Sequence, residues 1–122
     1  MTRAPLATVA VVQRDRFSPT RAALERLYEV TEPPFRLIYV DGGSPQRVRA
    51  YLTDQARQRG FHLLRRDSYL SPNEARNLAL RHVDTRYVVF LDNDVLVTPG
   101  WLEALVRCAE ETGAWTVGPF YC

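Results

Sequence analysis

The chain has 122 residues, of which 46% are hydrophobic and 25% are charged, a length and composition typical of one globular domain with a single core. Its 16 basic and 14 acidic residues leave a net charge of +2, which gives no electrostatic reason to expect nucleic acid as a partner. All of the basic residues are arginine, which excludes mechanisms that require a lysine, such as Schiff-base formation or a P-loop.

Short runs of apolar and β-branched residues alternate with amphipathic stretches along the chain. In chain order, the runs predict five strands, at residues 6–12, 35–40, 61–64, 87–91 and 114–121. A Ser-Pro or Thr-Pro pair precedes each amphipathic stretch, and these residue types are favoured at a helix start. The pairs therefore predict four helices, with caps at Ser18, Ser44, Ser71 and Thr98. Glu74, three residues after Ser71, completes a predicted capping box.

This alternation predicts the fold class: α/β, a doubly wound three-layer sandwich around a mostly parallel sheet of about five strands. Residues 1–122 are predicted to form one domain. No helix follows the last predicted strand to cover it. We therefore expect the natural chain to continue past Cys122, or a second copy to pack against that strand as a homo-oligomer.

The cysteines and the N-terminus bear on the location of the protein. Cys108 and Cys122 do not form a C-x-x-C pair, and residues 1–8 lack the apolar core of a signal peptide. We therefore expect a domain on the cytoplasmic side, held at a membrane face only through segments outside these residues.

The fourth predicted strand ends on two acids. Its apolar run leads directly into Asp92, Asn93 and Asp94, and it reads as a central buried strand of a parallel sheet. Ligands of open α/β sheets lie beyond the carboxyl ends of the strands. In an extended segment Asp92 and Asp94 would point to the same side, where two carboxylates suit Mg²⁺ or Mn²⁺ bound to a diphosphate. Alternatively, both acids are solvated turn residues that cap the next helix.

Three motifs occur in order around this strand, and together they resemble a known family. They are V-D-G-G-S at 40–44, A-R-N-L-A-L at 75–80 and F-L-D-N-D at 90–94, followed by P-G-W-L at 99–102. Over nearly the whole chain, this order and spacing is similar to the nucleotide-sugar-binding half of family 2 glycosyltransferases with the GT-A fold. The resemblance implies a nucleoside-diphosphate sugar as donor and inverting transfer of the sugar to an acceptor hydroxyl on a glycan, lipid or small molecule.

The resemblance also implies roles for individual residues. Asp94 corresponds to the metal ligand on the donor diphosphate, and Asp92 to the acid that contacts the donor ribose or the water shell of the metal. Asp41 corresponds to an acid that reads the nucleobase. The family often has two adjacent acids there, whereas this chain has Gly42 in the second place. Arg76 corresponds to an arginine near the diphosphate, although an arginine on a helix surface is an equal alternative.

Further donor contacts are expected from loop positions. Gln13 follows the first predicted strand and would offer backbone groups to the base, and Arg65 and Arg66 follow the third, where a donor could pass. The general base of the family lies in the acceptor half, so no catalytic residue is expected within this chain and the base is expected beyond Cys122. The chain alone is then expected to bind donor without transferring sugar.

Two other classes of protein are weighed against this interpretation. Asp92-Asn93-Asp94 also resembles the nucleophile motif of haloacid-dehalogenase-like phosphatases, but that motif lies on the first strand and requires a downstream lysine, which this chain lacks. A non-catalytic binding or oligomerisation module of the same fold is the second alternative.

Overall fold

The computed structural model describes residues 5–12 and 17–113, in which strands and helices alternate. The strands are β1 (Ala7–Val12), β2 (Phe35–Gly42), β3 (His62–Arg66) and β4 (Tyr87–Asp92). The helices are α1 (Thr20–Val30), α2 (Gln46–Arg59), α3 (Pro72–Leu80) and α4 (Trp101–Thr112). The predicted fifth strand, 114–121, lies outside the described residues.

The four described strands form one parallel sheet in the order β3-β2-β1-β4. The chain moves outward from β1 to β3 and then crosses back to place β4 on the other side of β1. This reversal opens a crevice between the carboxyl ends of β1 and β4, which is the usual ligand position in such sheets. The doubly wound parallel sheet predicted from the alternation is therefore confirmed.

Helices cover both faces of the sheet. On one face, Val9 and Tyr39 of the sheet pack in one cluster with Leu24 of α1 and Leu52 of α2. On the other face, alternate residues of β1 and β2 pack against Ala75 and other residues of α3. Successive side chains of a strand point to opposite faces, so an unbroken apolar run is the pattern expected of a sheet covered twice. The three-layer prediction is confirmed.

The position of β4 differs from the prediction. Within residues 5–12 and 17–113, β4 lies at the outside of the sheet with β1 as its one neighbour, and all six of its residues are half-buried. The prediction of a central, buried strand is thus wrong for the described part of the chain. An apolar run indicates that both faces of a strand are covered. It does not indicate how many strands pair with that strand, so it could not predict the position of β4 in the sheet.

The capping box of α3 is confirmed, whereas the other predicted caps are wrong. The backbone N–H of Glu74 donates to Ser71 Oγ at 3.2 Å, and the N–H of Ser71 donates to Glu74 Oε1 at 3.1 Å. Two hydrogen bonds with Ser71 lower the pKa of the Glu74 carboxyl. The bond with the Ser71 backbone has the larger effect, and the bond with the Ser71 side chain has the smaller one. The other three helices have Pro19, Pro45 and Gly100 at the N-cap, without a side-chain cap.

Candidate functional site at the carboxyl ends of the strands

The sequence-predicted acids lie along one edge of the sheet. Asp92, the last residue of β4, is level with Val12, the last residue of β1, and Val12 is level with Val40 of β2. Asp41 is the next residue of β2. Because neighbouring strands are about 4.8 Å apart, the backbone of Asp41 is roughly 10 Å from that of Asp92, with the end of β1 between them.

The chain turns immediately after Asp92. The N–H of Val95 donates to the carbonyl of Asp92 at 3.3 Å, and the N–H of Asn93 donates to the carbonyl of Val12 at 3.1 Å. The expectation that Asp92 and Asp94 flank Asn93 in an extended segment is therefore wrong, because side chains alternate strictly only while the chain is extended. The turn leaves Asp92 half-buried and Asp94 exposed.

Asn93, between the two acids, anchors this turn, and sequence reasoning missed its role. Its side chain is 1% exposed, and its Nδ2 donates to the hydroxyl of Thr20 at 3.3 Å. Thr20 is the first residue of α1, so the bond ties the end of β4 to the start of that helix. A polar amide directly after a buried-looking strand was the available signal, since buried amides need hydrogen-bonding partners.

Asp41 is fully buried, and three hydrogen bonds satisfy its carboxylate. Oδ1 accepts from the backbone N–H of Ser44 at 3.2 Å, while Oδ2 accepts from the Ser44 hydroxyl at 2.6 Å and from Arg65 Nη1 at 2.5 Å. A carboxylate has about four acceptor positions, so these three bonds fill most of them. The hydroxyl of Ser44 bonds to Asp41 rather than capping α2, which is why the predicted cap fails.

Arg65 is the second functional residue that sequence reasoning undervalued. It stands directly opposite Asp41 in the parallel pairing of β2 and β3, although 24 positions separate them in the chain. Its side chain is 19% exposed and its Nη1 also donates to the Ser44 hydroxyl at 3.1 Å. The pair is a buried ion pair that joins two strands, and only the strand register reveals it.

The two other candidate arginines lie at opposite ends of the edge. The guanidinium carbon of Arg76 is 5.9 Å from the centre of the Phe90 ring, on the face of the sheet that α3 covers. Phe90 precedes Asp92 by two residues, so the structure brings Arg76 alongside the end of β4. Arg66 ends β3 and donates from Nη1 to the carbonyl of Arg65 at 3.1 Å, three strands away from β4. Gln13 lies outside the described residues.

A family model and solved structures match the chain. The model for glycosyl transferase family 2 matches residues 8–121. The chain belongs to this family. A comparison with curated proteins found no significant match.

Two of the solved structures that are similar to this family 2 chain belong to longer proteins. A mannosyltransferase from Pyrobaculum calidifontis, in complex with GDP-Man and Mn²⁺, has a TM-score of 0.77 at 24% identity over 96% of this chain. TarS 1–349 of S. aureus, in complex with UDP-GlcNAc, has a TM-score of 0.74 at 18% identity over 88% of this chain. The matches show the GT-A fold. The chain covers 35% and 32% of these two proteins, about a third of their length.

The glycine in place of the second family acid has a structural explanation. A Cβ at Gly42 would lie 2.8 Å from the backbone nitrogen of Leu70 and 3.0 Å from its Cβ. Leu70 precedes α3 and packs into the cluster on that face of the sheet. The loop after β3 therefore occupies the space that a second carboxylate would need, and Asp41 is the single acid at this place.

Substituting Gly42 with alanine is expected to lower the free energy of unfolding by about 2–3 kcal/mol, because the backbone of Leu70 cannot yield easily. Gly42 does not have a positive φ, so the cost arises from the contact alone. Gly60→Ala is the control: no atom lies within 4 Å of an added Cβ, and its φ of +78° alone should cost about 1–2 kcal/mol. Urea denaturation measures both, and a Gly42→Ala protein as stable as the wild type would contradict the contact.

The described residues offer oxygen ligands without a preformed metal cage. Within 5–12 and 17–113, no three His, Cys, Asp or Glu side chains gather closely enough to hold an ion. In the same residues, no helix is both long and apolar enough to cross a membrane.

Proposed function

We propose that this family 2 chain is the donor-binding part of a glycosyltransferase, and that it binds a nucleoside-diphosphate sugar at the carboxyl edge of its sheet through a divalent metal. The observation that carries the proposal is the placement of Asp41 and the Asp92–Asp94 turn. Asp41 at the end of β2 and the turn after β4 lie on either side of the end of β1, roughly 10 Å apart by strand spacing. A nucleotide has its base at one end and its diphosphate at the other, which matches two separated polar sites.

At the diphosphate end, Asp94 is the proposed metal ligand, and Asp92 is shared between the metal and the donor ribose. Mg²⁺ and Mn²⁺ prefer oxygen ligands and take one or two protein carboxylates together with substrate phosphates. The two acids of one turn fit this coordination, since the phosphates and water complete it. When bound, the metal stabilises the negative charge that develops on the leaving nucleoside diphosphate. Arg76, alongside β4, adds a positive charge near the same group.

At the base end, Asp41 is the proposed contact to the nucleobase, and because its carboxylate is fully buried, the contact requires the loop around it to shift. Arg65 holds that carboxylate in place. Arg66, the last residue of β3, and Gln13, the residue after β1, are the remaining proposed donor contacts.

The transfer itself is proposed to require more protein than these residues. An acceptor hydroxyl attacks the anomeric carbon with inversion and loses its proton to a general base, which we expect outside residues 1–122. The chain alone should bind donor without transferring sugar. A cytoplasmic location remains a prediction.

The test is a thermal melt with UDP, GDP or dTDP, each with Mn²⁺ and with EDTA. One of the nucleotides with Mn²⁺ is expected to raise the melting temperature, and EDTA should remove most of the rise because the diphosphate then faces two unshielded carboxylates. The absence of a shift with all three nucleotides in both conditions would contradict the proposal.

A further inference from the structure

A groove of about 620 Å³ lies between the outer side of α2 and the end of β3, at the free edge of the described sheet. It contains three arginines and one acid. The lining residues are Ser44, Gln46, Arg49, Ala50, Thr53, Asp54, Arg57 and Arg65. It begins beside the Asp41 ion pair, since Ser44 and Arg65 belong to both.

Outward-facing residues of α2 form one side of the groove. Leu52 points inward to the core, so residues on the opposite side of the helix face outward. Arg49, Thr53 and Arg57 are spaced four apart and form one outward ridge, with small Ala50 beside its middle. Because an α-helix rises 1.5 Å per residue, Arg49 and Arg57 begin roughly 12 Å apart, at the two ends of a shallow floor.

These two arginines are among the surface arginines that have no acid within 4 Å in the described residues. Arg21–Glu25, Arg26–Glu29, Arg36–Asp84 and Arg86–Glu110 do form such pairs, whereas Arg47, Arg59, Arg81 and Arg107 form none, like Arg49 and Arg57. Within residues 5–12 and 17–113, Arg49 and Arg57 make no ion pair.

The polar groups of the lining leave these charges available. Asp54 is the acid in the groove, and it already accepts a hydrogen bond from Gln58 Nε2 at 2.7 Å. The charge of Arg65 is balanced by Asp41. The groove thus has two guanidinium groups that make no ion pair, one carboxylate from Asp54 and the amide of Gln46, while the hydroxyl of Thr53 already donates to the carbonyl of Arg49 at 2.9 Å.

We propose that this groove binds an anionic ligand that carries phosphate or sulfate groups, next to the base end of the proposed donor site and outside its metal-binding end. The planar fork of a guanidinium matches tetrahedral oxyanions with two parallel hydrogen bonds. Two such groups at opposite ends of one groove favour a ligand with more than one anionic group. A soluble phosphate compound and a phospholipid headgroup share this chemistry.

The test uses inorganic pyrophosphate in EDTA, which removes the metal that the donor site requires. Calorimetry of the wild-type chain should show saturable binding that weakens as salt rises. Arg49→Gln/Arg57→Gln should weaken it at least about tenfold, since each variant loses charge-assisted hydrogen bonds. Arg36→Gln/Arg86→Gln removes the same charge at the other end of the sheet and should change it less than about threefold.

Vesicles identify the source of the anion. A lipid headgroup is the ligand if the wild-type chain sediments with phosphatidylglycerol vesicles but not with phosphatidylcholine vesicles. The Arg49→Gln/Arg57→Gln variant should then fail to sediment with the phosphatidylglycerol vesicles. Saturable pyrophosphate binding without sedimentation identifies a soluble ligand. The proposal is overturned if neither probe binds, or if the two double variants weaken binding equally. Because all arms omit metal, failure of nucleotide binding with Mn²⁺ would leave this result unaffected.

Discussion

The Asp94→Asn substitution is expected to remove most of the Mn²⁺-dependent stabilisation by a nucleoside diphosphate. The Asp94→Asn side chain keeps its size and can still occupy the exposed turn, but it loses the negative charge that the proposed metal site needs. A ligand at 100 times its dissociation constant stabilises the fold by about 2.7 kcal/mol, which is roughly a 10 °C rise in melting temperature for a chain of this size. A hundredfold loss of affinity would leave about 0.4 kcal/mol of that stabilisation.

The matched control is Asp84→Asn, which removes an exposed carboxylate at the opposite end of the sheet, where Asp84 pairs with Arg36 at 3.4 Å. This variant should retain the full rise in melting temperature with nucleotide and Mn²⁺. A nucleotide shift that survives Asp94→Asn would contradict the assignment of Asp94 as metal ligand, while leaving the fold and the donor proposal to be judged by the wild type.

The Arg65→Met substitution is expected to lower the free energy of unfolding by about 3–5 kcal/mol. Asp41 is completely buried, and Arg65→Met would leave its charge without a compensating cation. This loss is a large share of the 5–15 kcal/mol that ordinarily separates folded from unfolded chains. Chemical denaturation at neutral pH measures it, and a cost below about 1 kcal/mol would show that the ion pair is not needed for stability.

Three further variants divide the contributions around Asp41. Ser44→Ala removes the 2.6 Å hydroxyl bond and should cost about 1–2 kcal/mol. Arg66→Met is the control, because Arg66 is exposed and its substitution should stay within about 0.5 kcal/mol. Combining Asp41→Asn with Arg65→Met should cost less than the sum of the single changes, because the buried charge is then gone as well.

Local sequence patterns were sufficient to predict the family and most of the order of strands and helices. The alternation of apolar runs and amphipathic stretches predicted the four strands and four helices that the structure describes, because each pattern reflects which faces of one element are covered. The capping box at Ser71 and Glu74 was likewise readable, since both partners lie within four residues. The order of the three motifs was sufficient to indicate glycosyl transferase family 2, which the family model confirms.

Contacts between distant segments decided the rest. The turn after Asp92 depends on Asn93 reaching Thr20, and the buried charge of Asp41 depends on Arg65 standing opposite it on the neighbouring strand. Leu70, 28 positions after Gly42, leaves no room for a side chain at position 42. The spacing of residues within the three motifs does not indicate this contact. The sequence by itself determined that this chain has acids at the ends of its strands and belongs to glycosyl transferase family 2. Only the tertiary structure decided how far those acids are exposed and what satisfies them, because strand register and loop packing are set by partners far away in the chain.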